Sequence, residues 1–386
     1  MQQSARIVVG GNATLDYIVD GSIYVQGEKE DTVIVDSQGM VEKFKVADPP
    51  IRPGFKHRVN RKLDQDVMEL WHCVKPGGGG YHSVTAMQSL PGTENVELDL
   101  VYMDVSEPHV KNIKGLQKYG VKFHFFYQRE VPVNAILGWR DDKITLKGPQ
   151  LDRVEPSNTH IGELEGLLSG SAFRVREPVD FPVVNAVLVN SFKDPAYAEQ
   201  ILRICGEKDI PLYFVITTSL EKDFVYAKVL PNAVGILNYD EIPAIDGINE
   251  KLDDQSKLEL ARETIKKIRI DGINSTHPIF VTLGKNGVYC SEGSSSIEHI
   301  YLNRSIAEQV NNGGSFKREG TSGAGDVFAA AVTLYRTLNP QISVGELARK
   351  ASQAAIRYIG YSGRLSPSTF AMDRMEFSRI SVVHSR

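Results

Sequence analysis

Three residues with almost no side chain, Gly323, Ala324 and Gly325, stand directly before an acid, Asp326, and an apolar, alanine-rich run (VFAAAVTLY) follows at once. The backbone N–H groups of such a stretch are open. At the start of a helix they also sit at the positive end of its dipole, which makes an anion site suited to phosphate. An aspartate beside that site works against binding alone, because it repels phosphate. It makes sense as a base that takes a proton from an attacking hydroxyl while the N–H groups stabilise phosphoryl charge. The same carboxylate could also simply cap the helix, where aspartate is favoured. Two other phosphate loops are excluded. The chain has no G-x-x-x-x-G-K-[ST] stretch, and GAGDVF lacks the last glycine of G-x-G-x-x-G.

The elements that must hold these groups can be read along the chain. ARIVVGGN (5–12) is a buried first strand ending in glycines. From about residue 93, strands such as VELDLVYMD, NAVLVNS, PLYFVITT and AVGILN alternate with helical segments. The helices are EPHVKNIKGLQKYG, DPAYAEQILRICGEKD, LDDQSKLELARETIKKIRIDG, GAGDVFAAAVTLYRTL and SVGELARKASQAAIRYIG, and HPIFVTLGKNGVYCSEG reads as a hairpin. This βαβ rhythm predicts an α/β fold with a doubly wound, mostly parallel sheet flanked by helices. Two patches near 17–47 and 121–148, the second including KFHFFYQ, alternate as half-exposed antiparallel strands. They are expected to pair as a small second sheet protruding from the core. LDQDVMELWHCV (63–74) reads as helix-like or irregular.

The 386 residues suit one large α/β domain with an extra lobe, or two domains. Hydrophobic residues at 41% and charged residues at 24% fit a soluble globular chain. A formal charge of −4 argues against a general nucleic-acid binder. One basic cluster, IRPGFKHRVNRK (51–62), reads as a solvated loop or as a contact for an anionic substrate. Cys73, Cys205 and Cys290 are dispersed and odd in number, without metal or disulfide spacing. The N-terminus lacks the pattern of a signal peptide, and no apolar run approaches a membrane span. A cytoplasmic location with no membrane partner is expected.

GTSGAGDVFAAA resembles the C-terminal signature of the ribokinase-like (PfkB) carbohydrate kinase family, whose pattern is D-T-x-G-A-G-D, matched from Thr321 onward. Further matches follow in family order. GGNATLDYIVD resembles the first strand, whose acid, here Asp16, binds substrate hydroxyls. In GGGGYHSVTAMQSLPG, Gly77 and Gly78 match the glycine pair of the second signature. NYDE resembles the Asn-x-x-Glu motif that organises magnesium and phosphates, with Asn238 and Glu241 in its two places. VTLGKNG resembles the nucleotide hairpin T-x-G-x-x-G, through Thr282, Gly284 and Gly287.

The resemblance implies an ATP- and Mg²⁺-dependent kinase acting on a hydroxymethyl group of a sugar or sugar-like molecule. Asp326 would be its base, and Gly323, Ala324 and Gly325 its anion hole. Asp16, Gly77, Gly78 and His82 would hold the acceptor. Asn238, Thr282, Gly284, Gly287 and Thr321 would contact the nucleotide, and Glu241 would bind Mg²⁺ through water. It also implies a β-sheet lid. The expected division is a core of 1–16, 63–120 and 150–386 and a lid of 17–62 and 121–149. An exposed lid edge invites pairing, so a homodimer through the lid is one expectation. The chain departs from the pattern in three places. Gly320 replaces the first Asp, which puts potassium activation in doubt. His82 stands where the second signature has Asn, and serves either as a substrate contact or as a histidine satisfied by its surroundings. The first lid segment is long and holds the basic cluster. Free sugars are the default acceptors, nucleosides come next, and sugar phosphates are third, motivated by Arg52, Lys56, Arg58, Arg61 and Lys62. A non-catalytic nucleotide- or sugar-binding relative acting through protein partners is the alternative of another class.

Overall fold

Strand β1 (Ala5–Gly11, ARIVVGG) is buried along nearly its whole length. Ile7 and Val9 enter one hydrophobic core, and Val8 enters another. The two-residue period of a strand thus divides one apolar run between two layers, as in a parallel strand covered on both faces. Strand β12 (Val184–Asn190) repeats the pattern, with Ala186 and Leu188 on one side and Val187 and Val189 on the other. The computed structural model describes residues 4–18, 24–29, 32–37, 40–47, 56–59, 73–105, 117, 120–128, 133–139, 142–147, 157–169, 183–190, 195–217, 220–248, 252–270, 276–293, 296–302, 323–359 and 377–382.

Among the described residues the main sheet has ten strands. β1 pairs in parallel with β12 on one side and with β8 (Val96–Val105) on the other, and β9 (Lys122–Gln128) lies parallel beyond β8. Beyond β12 come parallel β13 (Leu212–Val215), β14 (Val234–Asn238) and β15 (Ile279–Thr282). Antiparallel β16 (Val288–Ser291), β17 (Ile297–Leu302) and β18 (Phe377–Val382) complete it. From β1 the chain first winds outward to β9, then returns to β12 and winds the other way. The strand order therefore reverses between β1 and β12. In open α/β sheets that reversal leaves a crevice outside the carboxyl ends of the strands, where ligands bind.

Helices cover both faces. On one lie α1 (Gly79–Ser89), α5 (Ala324–Leu338) and α6 (Val344–Ile359), which share a core. On the other lie α2 (Asn158–Ser169), α3 (Pro195–Glu207) and α4 (Asp254–Ile270). Every residue of α5 from Val327 to Leu334 is buried. A helix apolar all round is a buried helix, and its run of alanines lets neighbouring elements approach closely. The expected doubly wound architecture is the observed one. No helix among the described residues is long and apolar enough to cross a membrane.

The small-sheet region differs in detail from the sequence expectation. Five strands form one sheet in the order β6 (Lys56–Arg58), β11 (Asp142–Lys147), β10 (Val133–Trp139), β2 (Thr14–Ile18) and β7 (Cys73–Gly77). β3 (Tyr24–Lys29), β4 (Thr32–Ser37) and β5 (Met40–Lys45) form a separate antiparallel sheet. The five-stranded sheet starts at Thr14 and recruits β7, so it draws on segments read as core. β9, read as a lid strand, is instead an edge strand of the main sheet. The cause is visible in its packing: Phe123 packs on one core and Phe126 on the other, so both faces are apolar. Residues 63–72 and most of the helix expected near 107–120 lie outside the described residues.

Candidate active site

The reversal point brings Asp326 to the end of β12 and the start of α1. Gly11 ends β1, Asn190 ends β12, and the two are register partners. A Cβ on Gly11 would lie 2.7 Å from the Asn190 carbonyl oxygen and 2.9 Å from the Gly80 nitrogen. The strand ends and the first turn of α1 are thus packed backbone to backbone. α5 delivers its own first turn to the same place. Its N-cap is Gly323, in left-handed backbone at φ 98°, and the Val327 N–H donates to the Gly323 carbonyl at 2.9 Å. The N–H groups of Ala324 and Gly325, inside the first turn, take no part in the helix ladder. Gly325 is exposed, and a Cβ there would meet nothing within 4 Å.

Asp326 is half-buried in that first turn. Its Oδ1 accepts a hydrogen bond from Nδ2 of Asn190 at 2.8 Å. The same Nδ2 lies 2.8 Å from Ser83 Oγ and 3.2 Å from the Gly79 carbonyl oxygen. Ser83 Oγ in turn donates to the Asp326 carbonyl oxygen at 3.3 Å. One buried amide therefore ties the end of β12 to the first turns of α1 and α5. From α6, the Tyr358 hydroxyl comes within 3.0 Å of where a Gly323 Cβ would stand. Burial pushes the Tyr358 phenol up, and the Asp326 charge pushes it further. It therefore stays protonated as a neutral hydroxyl beside Gly323.

The acceptor side follows from the β1–β2 connection. Gly77 is buried at the end of β7, opposite Thr14 of β2. Gly78 caps α1 at φ 97° and ψ 143°, a region essentially reserved for glycine. A Cβ there would stand 2.0 Å from the Asn12 carbonyl oxygen. Gly78→Ala is expected to destabilise the fold by at least about 2 kcal/mol through strain and clash, read as a lowered denaturation midpoint with unchanged m-value. The His82 N–H donates to the Gly78 carbonyl at 3.2 Å, and its half-buried ring meets Tyr81 edge-on at 5.9 Å. Asp16 lies on β2, paired with Lys75 and Asn134, so it belongs to the five-stranded small sheet. Its side chain is outside the described part of the structure.

The nucleotide candidates sit along the same carboxyl edge. Asn238 and Thr282 end β14 and β15 and are register partners. β14 is two strands from β12, about 10 Å at the usual strand spacing. Asn238 Oδ1 accepts from the Asp240 N–H at 3.0 Å, and its carbonyl accepts from the Glu241 N–H at 2.9 Å. That turn brings the half-buried Glu241 back beside Asn238. Gly284 and Gly287 bracket the turn from β15 to β16. A Cβ on Gly287, at φ 91°, would lie 2.1 Å from the Ile300 carbonyl oxygen, so the close crossing with β17 requires glycine whatever binds there. Thr321, Gly320 and most of the 51–62 cluster lie outside the described residues; Lys56–Arg58 form β6.

Asn190, Ser83 and Tyr358 were not among the residues singled out in the sequence. The one available signal was a polar Asn closing the apolar strand VNAVLVN at a carboxyl end.

A doubly wound sheet, helices on both faces and a site at the reversal point beside a small sheet define a ribokinase-like fold. Solved structures agree over nearly the whole chain. The ribokinase from Cryptococcus neoformans var. grubii serotype A in complex with ADP is similar at 15% identity, covering 95% of this chain and 96% of that one, with a TM-score of 0.60. The adenosine kinase from Schistosoma mansoni in complex with 2-fluoroadenosine is similar at 16% identity, covering 95% and 97%, with a TM-score of 0.60. The phosphofructokinase-2 from Escherichia coli in complex with potassium is similar at 14% identity, covering 95% and 97%, with a TM-score of 0.57. No protein-family model matches the chain. No curated protein matches it either.

Proposed function

We propose that this chain is an ATP-dependent kinase that transfers the γ-phosphoryl group to a hydroxymethyl group of a sugar or sugar-like acceptor. The observation that carries the reading is the Asp326 carboxylate, held by Asn190 in the same first helical turn as the Ala324 and Gly325 N–H groups. In such a transfer little covalent chemistry falls to the protein, and positioning with charge stabilisation does most of the work. Asp326 takes the proton of the acceptor hydroxyl as it attacks. The first-turn N–H groups, at the positive end of the α5 dipole, stabilise charge on the transferring phosphoryl oxygens. Tyr358, kept neutral, adds a hydroxyl donor on the same side. Asp16, Gly77, Gly78 and His82 hold the acceptor under the small sheet, whose closure excludes water and so limits ATP hydrolysis.

Asn238, Thr282, Gly284, Gly287 and Thr321 form the nucleotide side. Among the described residues no three His, Cys, Asp or Glu side chains gather into a metal cage. Magnesium at phosphates uses one or two carboxylates and keeps much of its water, and Glu241 beside Asn238 fits that demand. Mg²⁺ held there would neutralise phosphate charge. The similar structures are of a ribokinase, an adenosine kinase and a phosphofructokinase-2, which supports the kinase framework and makes free sugars, nucleosides and sugar phosphates the three acceptor classes to test, free sugars first.

The test is ADP release from Mg-ATP, with and without each acceptor class. Release is expected to depend on one class and to be indifferent to exchange of K⁺ for tetramethylammonium, because Gly320 replaces an acid. Release independent of every acceptor would reject the transfer, and a strong K⁺ requirement would reject the Gly320 argument.

A further inference from the structure

We infer that Asn190 is a positioning residue for the base: its side-chain amide holds Oδ1 of Asp326, so that Oδ2 is presented to the acceptor hydroxyl. This rests on the proposed role of Asp326. Asn190 is fully buried at the end of a strand whose preceding residues, Val187 to Val189, are apolar. An amide at such a place costs free energy unless its groups are bonded. Nδ2 carries two protons. One points to Asp326 Oδ1 at 2.8 Å, and the other serves Ser83 Oγ at 2.8 Å with the Gly79 carbonyl nearby at 3.2 Å. A purely structural amide could be satisfied by Ser83 and Gly79 alone. The bond to the carboxylate is the one that a structural role does not need.

It has one consequence for the base: it removes the rotational freedom of the carboxylate, so the accepting oxygen is fixed before the acceptor arrives. Among the described residues, Tyr358 on α6, Ser83 on α1 and Asn190 on β12 reach Asp326.

The experiment follows the Asp326 side-chain carbon by NMR in aspartate-labelled full-length protein, with Asp326→Asn as the assignment control. Asn190→Leu has similar volume and no donor. Asn190→Asp has the same volume and places a second carboxylate against Asp326. Both are expected to raise the Asp326 titration midpoint, Asn190→Leu by about one pH unit for one lost hydrogen bond, and Asn190→Asp by more, because two close carboxylates share a proton. The acidic limb of the kcat–pH profile is expected to move up with it, and KM for the acceptor to change less than kcat. Folding of each variant is read from near-UV dichroism, and if the Leu variant fails to fold the isosteric Asp variant carries the test. An unmoved midpoint in a folded variant overturns the inference and leaves the kinase reading standing. A moved midpoint in a protein that turns over no acceptor supports the coupling and rejects the kinase reading.

Discussion

Exchanging Asp326 for Ala is expected to lower kcat by about 10²- to 10⁴-fold, the range that a positioned general base contributes, with nucleotide affinity nearly unchanged. The separation of the two effects comes from geometry. The N–H groups proposed to bind phosphate belong to the backbone of Ala324 and Gly325, and alanine at 326 leaves that first turn intact. Loss of the carboxylate also removes a negative charge facing the nucleotide, so affinity has no reason to fall. The variant does lose one acceptor of the Asn190 amide, whose two protons can still reach Ser83 Oγ and the Gly79 carbonyl, so the stability cost is expected to be about 1 kcal/mol, that of one hydrogen bond. Asp326→Asn limits that loss, because its side-chain oxygen can still accept, while the base is still gone. Both variants are therefore expected to be slow, and the Asn variant to be the more stable. Steady-state kinetics with calorimetric nucleotide titration checks this. Turnover near that of the unaltered protein would remove Asp326 from its proposed role.

The largest stability effect is expected far from the carboxyl edge, at the N-terminal part of β1 and β8. Arg6 and Asp99 are essentially fully buried, and Arg6 Nε donates to Asp99 Oδ2 at 2.7 Å. His124 on β9 lies 2.7 Å from the other carboxylate oxygen. Removing one partner of a buried pair strands the other charge, so Asp99→Leu is expected to cost about 3–5 kcal/mol. Replacing both, as Arg6→Met with Asp99→Leu, is expected to recover much of that loss, because an apolar pair needs no compensation for desolvation. The pH dependence has a definite sign. Burial alone would raise the Asp99 carboxyl, but the hydrogen bonds from His124 and Arg6 outweigh it and hold it below the usual carboxylate value. A depressed folded-state value contributes stability above the unfolded-state value, near pH 4, and that contribution disappears as pH falls through the folded-state value. The double variant should lack this acid-dependent component. Urea denaturation across that acid window, on the four members of the cycle, checks both statements. A single variant as stable as the unaltered chain would contradict them.

The parallel sheet was legible because strands covered on both faces read as near-continuous apolar runs, which NAVLVNS carries plainly and VELDLVYMD carries with interruptions at Glu97 and Asp99. The small sheet was legible as a feature but not in its limits. β6 has three residues and β7 five, too short for a periodic signal. KFHFFYQ carries aromatic residues on both faces, and a reading by alternation puts it in the wrong sheet. The glycine-rich turn before Asp326 was legible because the backbone demands small residues there. Asn190 was not, since its meaning lies in a contact between residues 136 apart in sequence. Tyr358 is hidden in the same way, in a helix whose other inward residues are simply core. A site residue that acts through tertiary contact has no local pattern by which to be found.

The central claim is transfer, and ³¹P NMR of the γ-phosphoryl group tests it most directly. Mg-ATP is incubated with the protein and a panel of free sugars, nucleosides and sugar phosphates. With one acceptor class, the γ-phosphoryl resonance is expected to be replaced by that of a phosphomonoester, and Asp326→Ala is expected to abolish the replacement within the same time. ATP left unchanged across the panel, or converted only to ADP and inorganic phosphate, would contradict it.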